Sequence, residues 1–255
     1  SLAESKGAVP TVLRALGDVL PAQASLASLA GSGAVDAVDA KYVDACRTAL
    51  RAHITAVAGP VQWSLEVNER APIDAIIEQV RSLHAGLIVM GLRSHGVLRR
   101  MISRDLLAEV LRAARVPVLA VRPDITSLPR RIVVAIDLRA ASIAAAHLAR
   151  NLLGDNGAIS LVHVSLRHSA EMGERLERLA TELAPKPGMT MTSTVLHGDI
   201  LSSIEGFAQA MNADLLAMGS GNHGVLDRLA NGRISMQLAH TARWSTLIVP
   251  ARRDD

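Results

Sequence analysis

At 255 residues the chain holds one large domain or two ordinary ones, and with 49% hydrophobic and 20% charged residues it carries enough apolar material for a packed core and does not have a disordered composition. Two Trp, one Tyr and one Phe leave that core to Ala, Leu, Val and Ile, and exclude a row of stacking aromatics for single-stranded nucleic acid. A net charge of +3 without a basic run, the lack of any apolar stretch of about 18–20 residues, and a lone Cys46 argue against nucleic acid, membrane and a disulfide framework, so a reducing, cytoplasmic setting is expected.

The opening SLAESK lacks the charged-then-apolar layout of a secretory signal. After Gly7-Ala8, PTVLRAL (10–16) predicts a strand. Val35, Val38, Val43, Cys46, Leu50, Ile54 and Val57 recur at helical spacing, which predicts one long helix from about 36 to 58 with these residues on its apolar side. VQWSLEV (61–67) predicts a strand, and 72–84 a helix that opens on Pro72. LIVMG (87–91) predicts a strand, 104–114 a helix, and VLAV (118–121) another strand. The polar stretch RPDITSLPR (122–130) carries two prolines and marks a boundary, giving domains 1–126 and 127–255.

Beyond it, RIVVAI (131–136), AISLVHV (158–164), TSTVL (192–196), LLAMG (215–219) and TLIVP (246–250) predict five strands. Helices are expected between them over 140–153, 170–183, 200–211 and 233–242. The last part of this pattern repeats the first half. MGLRSHGVLRRMISRD (90–105) and MGSGNHGVLDRLANGR (218–233) share Met, Gly, His, Gly, Val, Leu and Arg in register, displaced by 128 residues from 90 to 218. AGLIVMG (85–91) matches ADLLAMG (213–219), and RVPVLAVRP (115–123) matches RWSTLIVPA (243–251). A duplicated unit of alternating strands and helices predicts an α/β fold with two tandem open parallel sheets of Rossmann-like type. The first unit shows no counterpart of RIVVAI, its opening strand, ahead of Gly7.

Gly219, Gly221 and Gly224 spell G-x-G-x-x-G, the dinucleotide fingerprint. That fingerprint belongs in the first strand-to-helix turn of a sheet, with more strands and an acidic residue to follow. Here it precedes the last strand, and the partner loop GLRSHG lacks it, so the dinucleotide reading is rejected. A Gly-rich loop that leads into a helix still suits an anion. Glycines let backbone N–H groups approach a phosphate, and the helix N-terminus favours negative charge.

Two tandem units, each with a D/G-L-I-V-M-G-like strand, a Gly-rich loop, a helix and a P-V-L-x-V-like strand, resemble the universal stress protein family over nearly the whole chain. The resemblance implies the adenine nucleotide alpha hydrolase-like form of the fold. Nucleotide-binding members carry G-x2-G-x9-G-[ST] after the fourth strand and an aspartate at the end of the first. In the second unit Gly219 matches the first glycine, Asn222 stands for the second, Gly232 matches the third, and Arg233 replaces the hydroxyl residue. Asn tolerates the left-handed backbone a glycine would take. Asp137 matches the first-strand aspartate, followed by Leu138-Arg139 in place of the small pair common in the family. His223, which recurs as His95, and Ser235 complete the binding candidates.

The resemblance thus implies ATP or a related adenine nucleotide as ligand of the second unit, with Asp137 facing the adenosine and Mg²⁺ accompanying the phosphates. In the first unit Ser94, Arg104 and Asp105 replace the second glycine, the third and the hydroxyl, so no ATP is expected there. It also implies pairing of the two units through VLAV and TLIV as an intrachain pseudo-dimer, with a homodimer of chains as a further step. A stress-response regulator without catalysis of its own, with an unidentified protein partner, is the expected role. Each candidate has a plainer reading: Asp137 caps the following helix, the loop histidines cap backbone, and Gly91 and Gly219 serve the chain's path. A ligand-free interaction module is the alternative from another class, and a slow ATPase ranks behind both.

Overall fold

A computed structural model describes residues 8–16, 32–91, 104–165, 170–183, 187–220 and 243–251. Contacts divide the chain into two compact units, one ending at His84 and the other beginning at Ala85.

In the first unit, β1 (Thr11–Ala15) pairs in parallel with β2 (Ser64–Asn68), Thr11 opposite Ser64. The connection contains α1 (Ser32–Ala58), and α2 (Pro72–Ser82) follows β2. Pro72 at the first helical turn, Asp74 beside it and Arg81 in the last turn suit the helix dipole. Leu16, Cys46 and Val67 form a small core, with Tyr42 and Val43 against it. Burial pushes the Tyr42 phenol above its ordinary range, assisted by its hydrogen bond with Cys46. Ile54 is buried as its spacing requires, but Val57 is 75% exposed, contrary to its expected place on the apolar side. At about 1.5 Å per residue a helix this long exceeds five-residue strands of about 17 Å, so those strands cannot cover the whole of its apolar side. β2 also begins three residues later than VQWSLEV predicts, at Ser64.

The second unit holds a seven-stranded sheet. Its members are β3 (Ile88–Gly91), β4 (Val118–Val121), β5 (Arg131–Ala135), β6 (Ala158–Ser165), β7 (Thr190–His197), β8 (Leu215–Ser220) and β9 (Ser245–Pro250). The order is β3-β4-β9-β8-β5-β6-β7. All neighbours are parallel except β4 and β9, which run antiparallel with Val118 opposite Ile248. VLAV and TLIV therefore lie side by side. The helices α3 (Arg104–Ala114), α4 (Ala140–Leu152), α5 (Ala170–Glu182) and α6 (Ile200–Ala210) connect the strands. The expected helix over 233–242 lies outside the described residues.

The α/β class and the parallel strands are as the sequence predicts, but the strands divide between the sheets differently. In the second repeat β5 lies between β8 and β6 and joins them into one ladder. Among the described residues no strand joins β3 to β1 in this way, so the first repeat's strands fall into two sheets, and β3 and β4 extend the sheet of the second repeat.

The central strands are buried on both faces, as parallel strands between helices must be. One face carries Val133, Ala135, Val162, Leu216, Met218, Ile248 and Trp244, with Ile204 and Ala208 of α6. α4 lies against β8 and β9, and its buried residues are Ala141, Ser142, Ala145, Ala146 and Ala149, with Leu152 in its last turn. Alanine at these positions lets the helix axis come close to the sheet. The linker is tied down at both ends. Arg122 forms a forked ion pair with Asp124 and donates to the Arg243 carbonyl, and its backbone N–H bonds Ser245 Oγ at 3.3 Å. Asp214 Oδ2 accepts the backbone N–H groups of Arg130 and Arg131, both at 2.9 Å, and so aligns the start of β5.

Thr246 is 0% exposed, and its hydroxyl has no partner among the described residues. Its counterpart in the first repeat is Val118. An unpaired buried hydroxyl costs about 1–3 kcal/mol, so Thr246→Val raises stability by about 1 kcal/mol in urea unfolding. A loss of stability on this substitution would show that the hydroxyl is bonded.

Candidate functional site

Strand order sets the location. From β5 the chain moves outward through β6 and β7, then returns to the other side of β5 as β8 and β9. Order reverses between β5 and β8, and the carboxyl ends of strands at such a reversal leave a crevice for ligands. Ala135 is opposite Met218 in this pair, so Asp137 and Gly219 leave neighbouring strands at the same end of the sheet.

Asp137 belongs to a tight turn between β5 and α4. Its Oδ1 accepts the Arg139 backbone N–H at 3.1 Å, and the Arg139 Nε stands 4.0 Å from its Oδ2. Its own N–H donates to Ser142 Oγ at 3.3 Å, and that hydroxyl donates to the Arg139 carbonyl at 3.0 Å. Between them Leu138 takes φ +62°, a left-handed conformation that costs an ordinary residue about 1–2 kcal/mol and a glycine almost nothing. This explains why a glycine suits that position and why Leu138 is an expensive substitute. The Asp137 side chain is 20% exposed, and a carboxylate has about four lone-pair sites, so acceptor capacity remains beyond the turn.

Gly219 has a packing reason for being glycine. A Cβ there would stand 2.5 Å from the Ser142 nitrogen and 2.6 Å from the Ala141 carbonyl carbon. The first turn of α4 occupies the space of the missing side chain. Asn222, His223, Gly232, Arg233 and Ser235 lie outside the described residues, as do Gly221, Gly224 and His95. The structure thus brings together Asp137 and Gly219 of the candidate set.

Two neighbours were not among the sequence candidates. His163, at the end of β6, has Nδ1 2.8 Å from the Ile136 carbonyl, one residue before Asp137. Ser142 is buried and holds the turn's backbone. The D-x4-S spacing was visible, but its use depends on the turn. Among the described residues no group of three His, Cys, Asp or Glu is placed to hold a metal, and no helix is long and apolar enough to cross a membrane.

Asp199 precedes α6, and its Oδ1 accepts the Ser202 backbone N–H at 3.1 Å and the Ser202 hydroxyl at 2.9 Å. These bonds hold its carboxyl below the ordinary aspartate range, the backbone bond contributing most. A lowered folded pKa stabilises above the unfolded value and is lost as pH falls through the folded one. Thermal melts between about pH 5 and about pH 3 are expected to show this loss, and Asp199→Asn, which caps without titrating, to reduce the slope. Equal slopes in the two proteins would remove Asp199 from the acid response.

The model of the Universal stress protein family matches this chain twice, over residues 1–122 and 129–250. Comparison with curated proteins gives no match. Among solved structures, a universal stress protein from Archaeoglobus fulgidus DSM 4304 is similar with a TM-score of 0.64 and 20% identity, over 88% of this chain and 81% of that one. A protein from Pseudomonas aeruginosa UCBPP-PA14 described under the same family name is similar with a TM-score of 0.55 and 15% identity, over 81% of this chain and 78% of that one. At such identities the likeness is one of fold. The two family matches, in register with the internal repeat and with the strand order of the second unit, show that the chain belongs to the universal stress protein family as a tandem of two of its domains.

Proposed function

We propose that the second repeat binds ATP or a related adenine nucleotide at the reversal between β5 and β8, and that the protein acts as a stress-response regulator and not as an enzyme. The observation that supports this most is the Asp137 carboxylate. It stands at the end of the central strand, at the point of strand reversal, partly exposed and with lone pairs to spare. A ribose hydroxyl or an adenine amine donates to such a group. Asn222, Gly232 and the amides near them offer donors to phosphates, Arg233 offers charge, and His223 and Ser235 offer further polar contacts. Mg²⁺, when present, neutralises the phosphates. Gly219 contributes by letting α4 approach, since its side-chain space is already taken.

The ion pair within the turn favours a second reading. Arg139 lies beside the outer oxygen of Asp137, so the carboxylate is partly neutralised by its own chain. A ligand-free interaction module follows if Arg139 keeps that place.

ATP titration followed by thermal melting separates the two readings. Binding to the folded state alone adds about 2.7 kcal/mol at a ligand concentration 100 times the dissociation constant. A rise in melting temperature that disappears in Asp137→Ala is expected, together with no release of phosphate over hours in the protein that binds. No shift at millimolar ATP would leave the module reading, and steady hydrolysis would make the protein an ATPase.

A further inference from the structure

One peptide unit, between Ile136 and Asp137, is held at both ends by side chains. Its carbonyl lies 2.8 Å from His163 Nδ1 at the end of β6, and its N–H donates to Ser142 Oγ in the first turn of α4 at 3.3 Å. A carbonyl oxygen only accepts, so Nδ1 carries the proton and donates. The Ile136 N–H in turn donates to the Val162 carbonyl at 2.8 Å, so β6 holds Ile136 by main chain and by side chain.

Register places the parts of this clamp in one row. Ala135 is opposite Val162 on one side and Met218 on the other, so one residue further His163, Ile136 and Gly219 stand level across β6, β5 and β8. Ala135, Val162 and Met218 belong to the cluster around Trp244. Side chains alternate along a strand, so His163 leaves the opposite face, the one where the first turn of α4 closes on Gly219. Just beyond the clamped peptide Leu138 holds its φ of +62°. Such a conformation persists where the surrounding structure over-determines it. His163 and Ser142 supply that constraint, and the planar peptide transmits it from carbonyl to N–H. Asp137 projects from this fixed plane, and its Oδ1 accepts the Arg139 N–H at 3.1 Å.

We propose that His163 is a positioning residue of the nucleotide site: its Nδ1–H fixes the peptide from which Asp137 projects, and so sets where the carboxylate meets the adenosine. This role rests on the nucleotide reading above. A contribution through packing alone is kept by any side chain of similar volume. A contribution through the donor is kept only where an N–H stands at the place of Nδ1. Asparagine has one, its Nδ2 bonded to Cγ as Nδ1 is, whereas leucine fills the volume without a donor.

His163→Leu and His163→Asn in the full chain test this, by residue-resolved amide exchange and by ATP titration. In His163→Leu, exchange at the Asp137 and Arg139 amides is expected to speed up by about 5-fold or more, as the loss of one hydrogen bond allows, while Ala217 and Leu247 in the β8–β9 ladder keep their rates. His163→Asn is expected to stay within about 2-fold of wild type at all four amides. The ATP dissociation constant is expected to rise by about 10-fold in His163→Leu and to return to within about 2-fold of wild type in His163→Asn. Unchanged exchange at Asp137 and Arg139 in His163→Leu overturns the proposal. So does faster exchange that His163→Asn does not reduce, or that extends to Ala217 and Leu247, because His163 then serves packing. Faster exchange at the two turn amides with unchanged ATP affinity overturns it as well. A wild type that takes up no ATP at millimolar concentration removes the nucleotide reading, and the exchange rates then decide alone whether His163 positions Asp137.

Discussion

Replacing Gly219 by alanine is expected to destabilise the second unit by about 2–3 kcal/mol, while the same change at Gly91 leaves stability within about 0.5 kcal/mol of wild type. The two glycines occupy matching places in the repeat, after the same Met. An alanine Cβ at 219 would stand 2.5 Å from the Ser142 nitrogen, 2.6 Å from the Ala141 carbonyl carbon and 2.9 Å from the Ala141 Cβ. The first two obstacles are backbone atoms of a helix, which cannot rotate aside as a flexible side chain does. α4 must move outward or its first turn must unwind, and either change disturbs the turn that holds Asp137. At Gly91 no atom of the described residues lies within 4 Å of such a Cβ and no left-handed φ is required, so alanine meets neither clash nor strain among them. Urea unfolding followed by the Trp244 emission, in a Trp63→Phe background, reads the second unit alone. Equal effects of the two substitutions would show that α4 does not press on Gly219.

Trp244→Ala is expected to cost about 3–5 kcal/mol, the largest loss from any single truncation in the sheet. The core has few aromatics, so this indole fills volume that Ala, Leu, Val and Ile do not otherwise reach. It is 5% exposed and belongs to the cluster of Val133, Ala135, Val162, Ile204, Ala208, Leu216, Met218 and Ile248. One side lies along a cleft lined by Gln209, Asn212, Ala213 and Arg243, so water enters part of the space left behind. Trp244→Phe, which keeps most of the apolar volume, is expected to recover more than half of the loss. Denaturation followed by circular dichroism measures both variants. A cost below about 1 kcal/mol for Trp244→Ala would mean that the cluster collapses freely around the gap.

Much of the fold was legible because its elements repeat a local pattern. Apolar runs such as RIVVA and LLAMG are bounded by polar or Gly-containing turns, and the observed strands Arg131–Ala135 and Leu215–Ser220 follow them closely. Helix spacing placed α4 and α6 within a residue or two of their observed ends. Val57 was misplaced for a simple reason. Periodicity along a helix shows which side is apolar, but not where the neighbouring sheet stops. Of the candidate site, Asp137 was legible as an aspartate at the end of the central strand. The Leu138 conformation and the Ser142 bonds were not, because they depend on a turn closed between residues three to five positions apart.

The duplication, the strand-and-helix alternation and the family were written in local runs and in a register constant over 128 residues, which need no third dimension to be read. Tertiary structure alone decided that β3 and β4 join the sheet of the second repeat while β1 and β2 stand in another. It also decided that Gly219 is crowded and Gly91 open. Strand partners and helix contacts are set by hydrogen bonds and close packing between residues far apart in the chain. The same Met-Gly dipeptide therefore has a different physical role wherever its neighbours differ.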